Sequence, residues 1–295
     1  MSFSNLAVAE ASRLRHRSRA TVVLLITLIV SLIGTPMFMT RVTPLTADDY
    51  AQAAAEYELS KETCSTCTVE SYLPGVFDFH EVVHIGIGPW MLLLAVFVLL
   101  ATLIYVGADF ASGAITTQLT FTPNRMQLLG ARTLASGLFG AAMLGIAVIA
   151  SSVVSVVWYL GVHGLSSLPA DSGLLGTISG SLILGFVLGM LASLLVFLFN
   201  GGAYAGATAA VVLIAAFALE MVAFDVASPA WLFHASPTRQ AEALVVGLAN
   251  PGYDQVPLHA AELLTPGESL LYFATLLAVT AALAAFAFQR RDITN

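Results

Sequence analysis

Between Asp171 and Glu220 the chain carries no Asp, Glu, Lys or Arg. A helix needs roughly 20 apolar residues to cross a hydrocarbon layer of about 30 Å. This stretch is too long for one crossing, and "FNGGAY", Phe199 to Tyr204, supplies the turn that divides it in two. The other charge-free stretches fit single crossings. They lie between Arg19 and Arg41, between Glu81 and Asp109, from Arg132 to about residue 161, and between Glu268 and Arg290. With 58% hydrophobic and only 10% charged residues, and a mean hydropathy of +0.88, the composition is that of a membrane protein rather than a soluble enzyme.

The expectation is an all-α polytopic membrane protein, one transmembrane domain over residues 1–295, with six transmembrane helices at about 20–40, 89–108, 128–160, 173–199, 203–224 and 268–289. Lys and Arg near span ends stay on the cytoplasmic side. With both termini cytoplasmic, Arg13, Arg15, Arg17, Arg19, Arg125, Arg132, Arg290 and Arg291 face inward, and Arg41, Lys61 and Arg239 face outward. The plasma membrane is the expected location. Most acids then fall in outer loops, which accounts for the net charge of -7 without an acidic cytosolic surface, and no nucleic-acid partner is expected. The Arg-rich start and first apolar run outline a signal peptide, but "GTPMFMTR" lacks small residues at a cleavage position, so the segment is read as span one.

Two outer segments are long enough to hold structure, residues 41–88 and 225–267. In the first, Thr46 caps a short surface helix with Asp48 and Asp49 in its first turn and Lys61 in its last. The same loop holds "CSTC", in which Cys64 and Cys67 are a disulfide candidate, the alternative being a redox or metal pair. In the second, Ser236 caps, Pro237 takes the first helical position and Asn250-Pro251-Gly252 stops the helix. Thr265 then starts the last span. Gly176, Gly180, Gly185 and Gly189 have the small-xxx-small spacing that lets helix backbones approach, either within the chain or at a subunit interface. Glu220 stands near the outer end of span five as a substrate-path residue or an interfacial anchor.

"HEVVH", His80 to His84, has the letters of a zinc-protease helix, where two histidines four apart bind the metal and the glutamate activates water. A membrane zinc metalloprotease is thus the alternative function, with His80, Glu81 and His84 as its site. Against it, Gly86, Gly88 and Pro89 are expected to break the helix within about a turn, and a third ligand has no obvious source. The preferred reading is a polar collar at the start of span two, with no metal and no catalytic residue in the chain.

The segment joining spans two and three, "GADFASGAITTQLTFTPNRMQLLGAR", is amphipathic rather than a plain loop. Asp109 ends the membrane run, Phe110, Ile115, Leu119 and Phe121 alternate with small and hydroxyl residues, and Pro123 restarts a helix that carries Arg125 and Arg132. The order acid, Gly113, hydroxyl-rich turn (Thr116, Thr117), Pro123, Arg125, Arg132 resembles the coupling segment of ABC-2 type transporter permeases, the membrane subunits of bacterial ABC exporters. The tail "FQRRDI" and the six-span arrangement resemble that family as well. Asp109 and Arg132 stand where the family often has Glu and Lys.

The resemblance implies a permease working with two copies of an ABC ATPase (nucleotide-binding) subunit and a second permease copy or paralogue. Residues 109–125 would be the coupling helix, with Phe110, Ile115 and Leu119 filling a groove on the ATPase and Asp109 and Arg125 orienting it. The only lysine is Lys61, so the chain has no phosphate loop ending G-K-[ST]. The chain therefore binds no cofactor itself, and ATP and Mg belong to the partner. The cargo implied by the aliphatic spans is hydrophobic or amphipathic: a drug, antibiotic, peptide or lipid-like molecule.

Overall fold

A computed structural model describes residues 3–16, 18–42, 44–60, 67–73, 78–121, 124–164, 173–225, 234–247 and 264–290. Among the described residues these helices run in order: α1 (Phe3–His16), α2 (Ser18–Met39), α3 (Ala47–Ser60), α4 (Phe79–Ala111), α5 (Ala114–Phe121), α6 (Arg125–His163), α7 (Leu174–Phe199), α8 (Gly202–Asp225), α9 (Pro237–Val246) and α10 (Pro266–Arg290). Short 3-10 turns at Thr40–Val42 and Val69–Tyr72 join them, and no strand occurs among the described residues. Among the described residues five segments are long and apolar enough to cross a membrane: Ser18–Val42, Phe79–Ala111, Arg125–His163, Leu174–Phe199 and Pro266–Arg290. The stretch expected to be the fifth of six spans, about 203–224, is helical as α8 (Gly202–Asp225). Its apolar described stretch is Gly202–Ala218.

The spine is the pair α6 and α7, and glycine sets how closely they approach. A Cβ on Gly185 would strike the carbonyl of Gly140, and one on Gly189 would strike that of Ser136. Without side chains the backbones touch, the geometry that small residues favour between membrane helices. Gly180 meets the Leu244 carbonyl of α9 in the same way, whereas Gly176 faces open space. Three of the four spaced glycines thus serve packing inside the chain.

Against α6, α2 lays a buried hydroxyl row. Ser31 donates to the Thr27 carbonyl at 2.8 Å, Thr35 donates to the Ser31 carbonyl, and the Thr35 hydroxyl reaches Ser151 of α6 at 2.9 Å. These bonds keep hydroxyl groups satisfied where water is excluded. Gly34 leaves room for the Trp90 ring of α4.

The start of α4 departs from expectation. The helix does not break at Gly86, Gly88 and Pro89. It opens at Phe79, ten residues before the expected span, passes through a π-helical stretch at Val82–Ile87, and continues regularly to Ala111. Pro89 falls where the π-helical stretch gives way to the regular helix. The two glycines act through space, because Gly86 lies under the Phe38 ring and Gly88 under Val246 of α9. Helix α9 likewise ends sooner than expected: Gly247, at φ 99°, terminates it three residues before Asn250, which lies outside the described residues.

Candidate functional site

The site assembles at the end of the bundle where α1, the end of α4, α5 and the start of α6 meet. Asp109 sits in the last turn of α4, where a carboxylate opposes the helix dipole and needs a cation. Arg132, two turns into α6, provides it: its Nη1 pairs with Asp109 Oδ2. The same guanidinium approaches Glu10 Oε2 of α1 through Nε at 2.9 Å and donates through Nη2 to Gln118 Oε1 of α5 at 2.7 Å. Gln118 Nε2 closes the ring by donating to Glu10 Oε1 at 2.7 Å. Arg13 stands further out, 3.7 Å from Asp109 and 3.9 Å from Glu10.

Burial decides what this arrangement can do. The side chains of Asp109, Arg132 and Glu10 are 2%, 4% and 6% exposed, and Arg13 is 29% exposed. Two acids and two arginines leave the cluster neutral. Placing the charges out of water costs several kcal/mol per ion, and only close partners on every side offset that cost. The network therefore works as a rivet through four segments of chain: Gln118 ties α5 to α1 and α6, and Arg132 ties α6 in turn to Asp109 of α4.

The rest of the predicted coupling set also turns inward. Phe110 packs edge-on against Phe197 of α7 with centroids 5.0 Å apart, and Phe197 repeats the contact with Phe288 of α10 at 5.0 Å. Ile115 is buried and Leu119 half-buried in the same apolar cluster. Within this chain these three side chains pack on its own apolar core. Arg125 donates from Nη1 to the carbonyls of Phe288 at 3.2 Å and Gln289 at 3.5 Å, so it caps α10. Gly113, at φ 70°, provides the left-handed turn between α4 and α5. Pro123 lies outside the described residues.

What α5 shows to its surroundings is a different face. Thr117, Thr120 and Phe121, at i, i+3 and i+4, are exposed, and Phe121 is 83% exposed at the helix end. Glu10, Gln118 and this outward face were not legible as site residues. The signal for Glu10 was the α1 spacing Leu6, Glu10, Arg13, a single helical face whose first two members are buried.

At the opposite end the HEVVH residues do other work. Asp78 caps α4 by accepting the Glu81 N–H at 2.7 Å, and Glu81 Oε2 accepts the Asp78 N–H at 2.9 Å. This reciprocal box occupies the carboxylate that a protease would aim at water. The rings of His80 and His84 lie 4.0 Å apart, and among the described residues no group of three His, Cys, Asp or Glu gathers to hold a metal. Glu220 falls within the last turns of α8, and its side chain lies outside the described residues. Cys67 is disulfide-bonded, while Cys64 lies outside the described residues.

The described basic residues divide unevenly between the two ends. Arg13, Arg125 and Arg132 gather with the C-terminal end of α10, and the Phe3 ring of α1 lies over Gly130, so both ends of the described chain meet here. Compared with family models, with curated proteins and with solved structures, the chain matches none.

Proposed function

We propose that this chain is the membrane-spanning permease subunit of an ATP-driven ABC exporter, moving a hydrophobic or amphipathic cargo out of the cytoplasm while a separate ATPase hydrolyses ATP. In this reading α8 is the fifth of six spans, both termini are cytoplasmic, the protein lies in the plasma membrane, and two ATPase copies work with two permeases. The observation that carries it is α5. A short helix is riveted between two long apolar helices by a buried ion-pair network, with Thr117, Thr120 and Phe121 facing away from the bundle. The positive-inside rule puts this arginine-rich end in the cytoplasm.

The mechanism differs from that read from the sequence. The ATPase meets the Thr117, Thr120 and Phe121 face, and the network passes the displacement to α4 and α6 together, because Arg132 holds Asp109 and Gln118 at once. In this reading the ATPase is a separate chain, because this one has no lysine besides Lys61 and hence no phosphate loop.

The test is purification of the tagged chain from its own membranes in mild detergent, followed by mass spectrometry and an ATP hydrolysis assay. The reading expects a phosphate-loop ATPase to accompany the chain in near-equal amount and to be stimulated by hydrophobic cargo. A chain that purifies alone from membranes containing such ATPases would remove the proposal.

A further inference from the structure

Between α4, α7, α8, α9 and α10 lies a cavity of about 290 Å³ that the ion-pair site does not touch. Its deep wall is Leu184, Leu188 and Leu191 of α7 with Ala95 and Leu99 of α4, and Phe273 of α10 closes the far side. Helix α9 lies along one edge through Pro237, Thr238 and Ala241. No charged residue and no amide side chain appears among its described lining residues. The hydroxyls present are already engaged: Thr208 donates to the Tyr204 carbonyl at 2.9 Å, Thr280 donates to the Leu276 carbonyl at 2.7 Å, and Thr238 bonds with Ser236 at 2.7 Å.

Such a space offers water nothing to bond. An apolar cavity of even about 150 Å³ stays dry and takes up apolar molecules instead. Where this one opens is equally telling. Val96 of α4, Val212 of α8 and Leu276 of α10 line it and are also 37%, 50% and 37% exposed on the outside of the bundle. The mouth is thus sideways and apolar, on helices whose outer faces carry further exposed aliphatic residues such as Leu93, Val211 and Leu283. In a chain embedded by its apolar helices, the surroundings of that mouth are hydrocarbon.

We propose that this cavity is a binding site for one hydrocarbon chain of a membrane lipid, admitted laterally between Val96, Val212 and Leu276 and lying along the leucine wall of α7. The assignment needs only the membrane setting and is independent of the exporter reading. Occupancy sets the spacing of α8 and α9 from the α4–α7 pair, since both helices touch that pair across the cavity.

The full chain, reconstituted in nanodiscs with a phosphatidylcholine bearing a diazirine midway along one acyl chain, is illuminated and its adducts are mapped. Adducts are expected on buried Leu184 and Phe273 in addition to Ile33, which faces outward on α2. Ala209→Trp places a ring in the cavity from α8, and Ala241→Phe does so from α9; either is expected to lower labelling of Leu184 relative to Ile33 roughly tenfold, the weakening overpacking would bring. The second variant keeps the test open if the first does not fold. Labelling confined to Ile33, or labelling of Leu184 unchanged in both folded variants, would overturn the site. So would labelling of Leu184 by a water-soluble diazirine, or by a rigid sterol diazirine where the acyl probe leaves it untouched.

Discussion

At one end of the bundle charged side chains meet across four segments of chain and out of water; at the other, the charged side chains pair within the helix that bears them. Gln118 and Glu10 bond across 108 positions and Arg132 and Asp109 across 23. By contrast Glu81 pairs with Asp78, Asp49 with Thr46, Glu268 with Thr265 and Arg239 with Glu242, each three residues apart. Local pairs shape one helix end and depend little on the rest of the molecule. The distant set fixes how helices sit relative to one another, and its loss strands buried charge. The difference teaches where rigidity is concentrated: around α5, the element that the proposed function asks to transmit force.

Substitutions can break the comparison in order of effect. Arg132→Ala leaves Asp109 and Glu10 buried without their main cation and is expected to cost about 3–5 kcal/mol, seen as a large drop in thermal unfolding temperature in detergent. Gly185→Leu forces a side chain into the Gly140 carbonyl and should cost at least about 1–3 kcal/mol by the same measurement, with α6 and α7 driven apart. Arg125→Ala removes the cation from the α10 C-terminus and should cost about 0.3–2 kcal/mol. Glu81→Ala loosens one capping box at the other end, about 1 kcal/mol, and should leave export intact. An equal cost for Arg132→Ala and Glu81→Ala would erase the contrast.

The smallest expected effect sharpens it. Backbone and side-chain hydrogen bonds from Thr46 hold the exposed Asp49 carboxyl below its ordinary value of 3.8. Because the folded value is depressed, the cap is fully present above the ordinary value and is lost as pH falls through the lower folded one. Amide exchange of α3 should therefore quicken below pH 3.8 and do so without affecting α5, and Asp49→Asn should abolish that dependence.

Much of the architecture is legible from where charge is absent, because a long uncharged stretch has few ways to satisfy its backbone besides a buried or membrane helix. The five long apolar helices follow from that alone. Asp109 and Arg132 were also conspicuous, as charges bracketing an amphipathic segment. Their partnership was not, since nothing local says that α1 returns to bring Glu10 between them. What the apolar side of the segment from Phe110 to Leu119 packs against was not legible for a related reason. Phe110, Ile115 and Leu119 define an apolar side, but the sequence leaves open whether that side meets the chain's own core or another protein. Gly86, Gly88 and Pro89 misled in the opposite sense: they look like breakers until Phe38 and Val246 are seen to fill the space they leave.

The central claim is that α5 meets an ATPase through its outward face, and photo-crosslinking in intact membranes tests it most directly. A photoreactive amino acid is placed in turn at Phe121 and at Phe110, and adducts are identified with and without ATP. The account predicts a crosslink from position 121 to a phosphate-loop ATPase and, from position 110, crosslinks only within the chain. Crosslinks to the ATPase from 110 but not 121, or to lipid alone from 121, would contradict it.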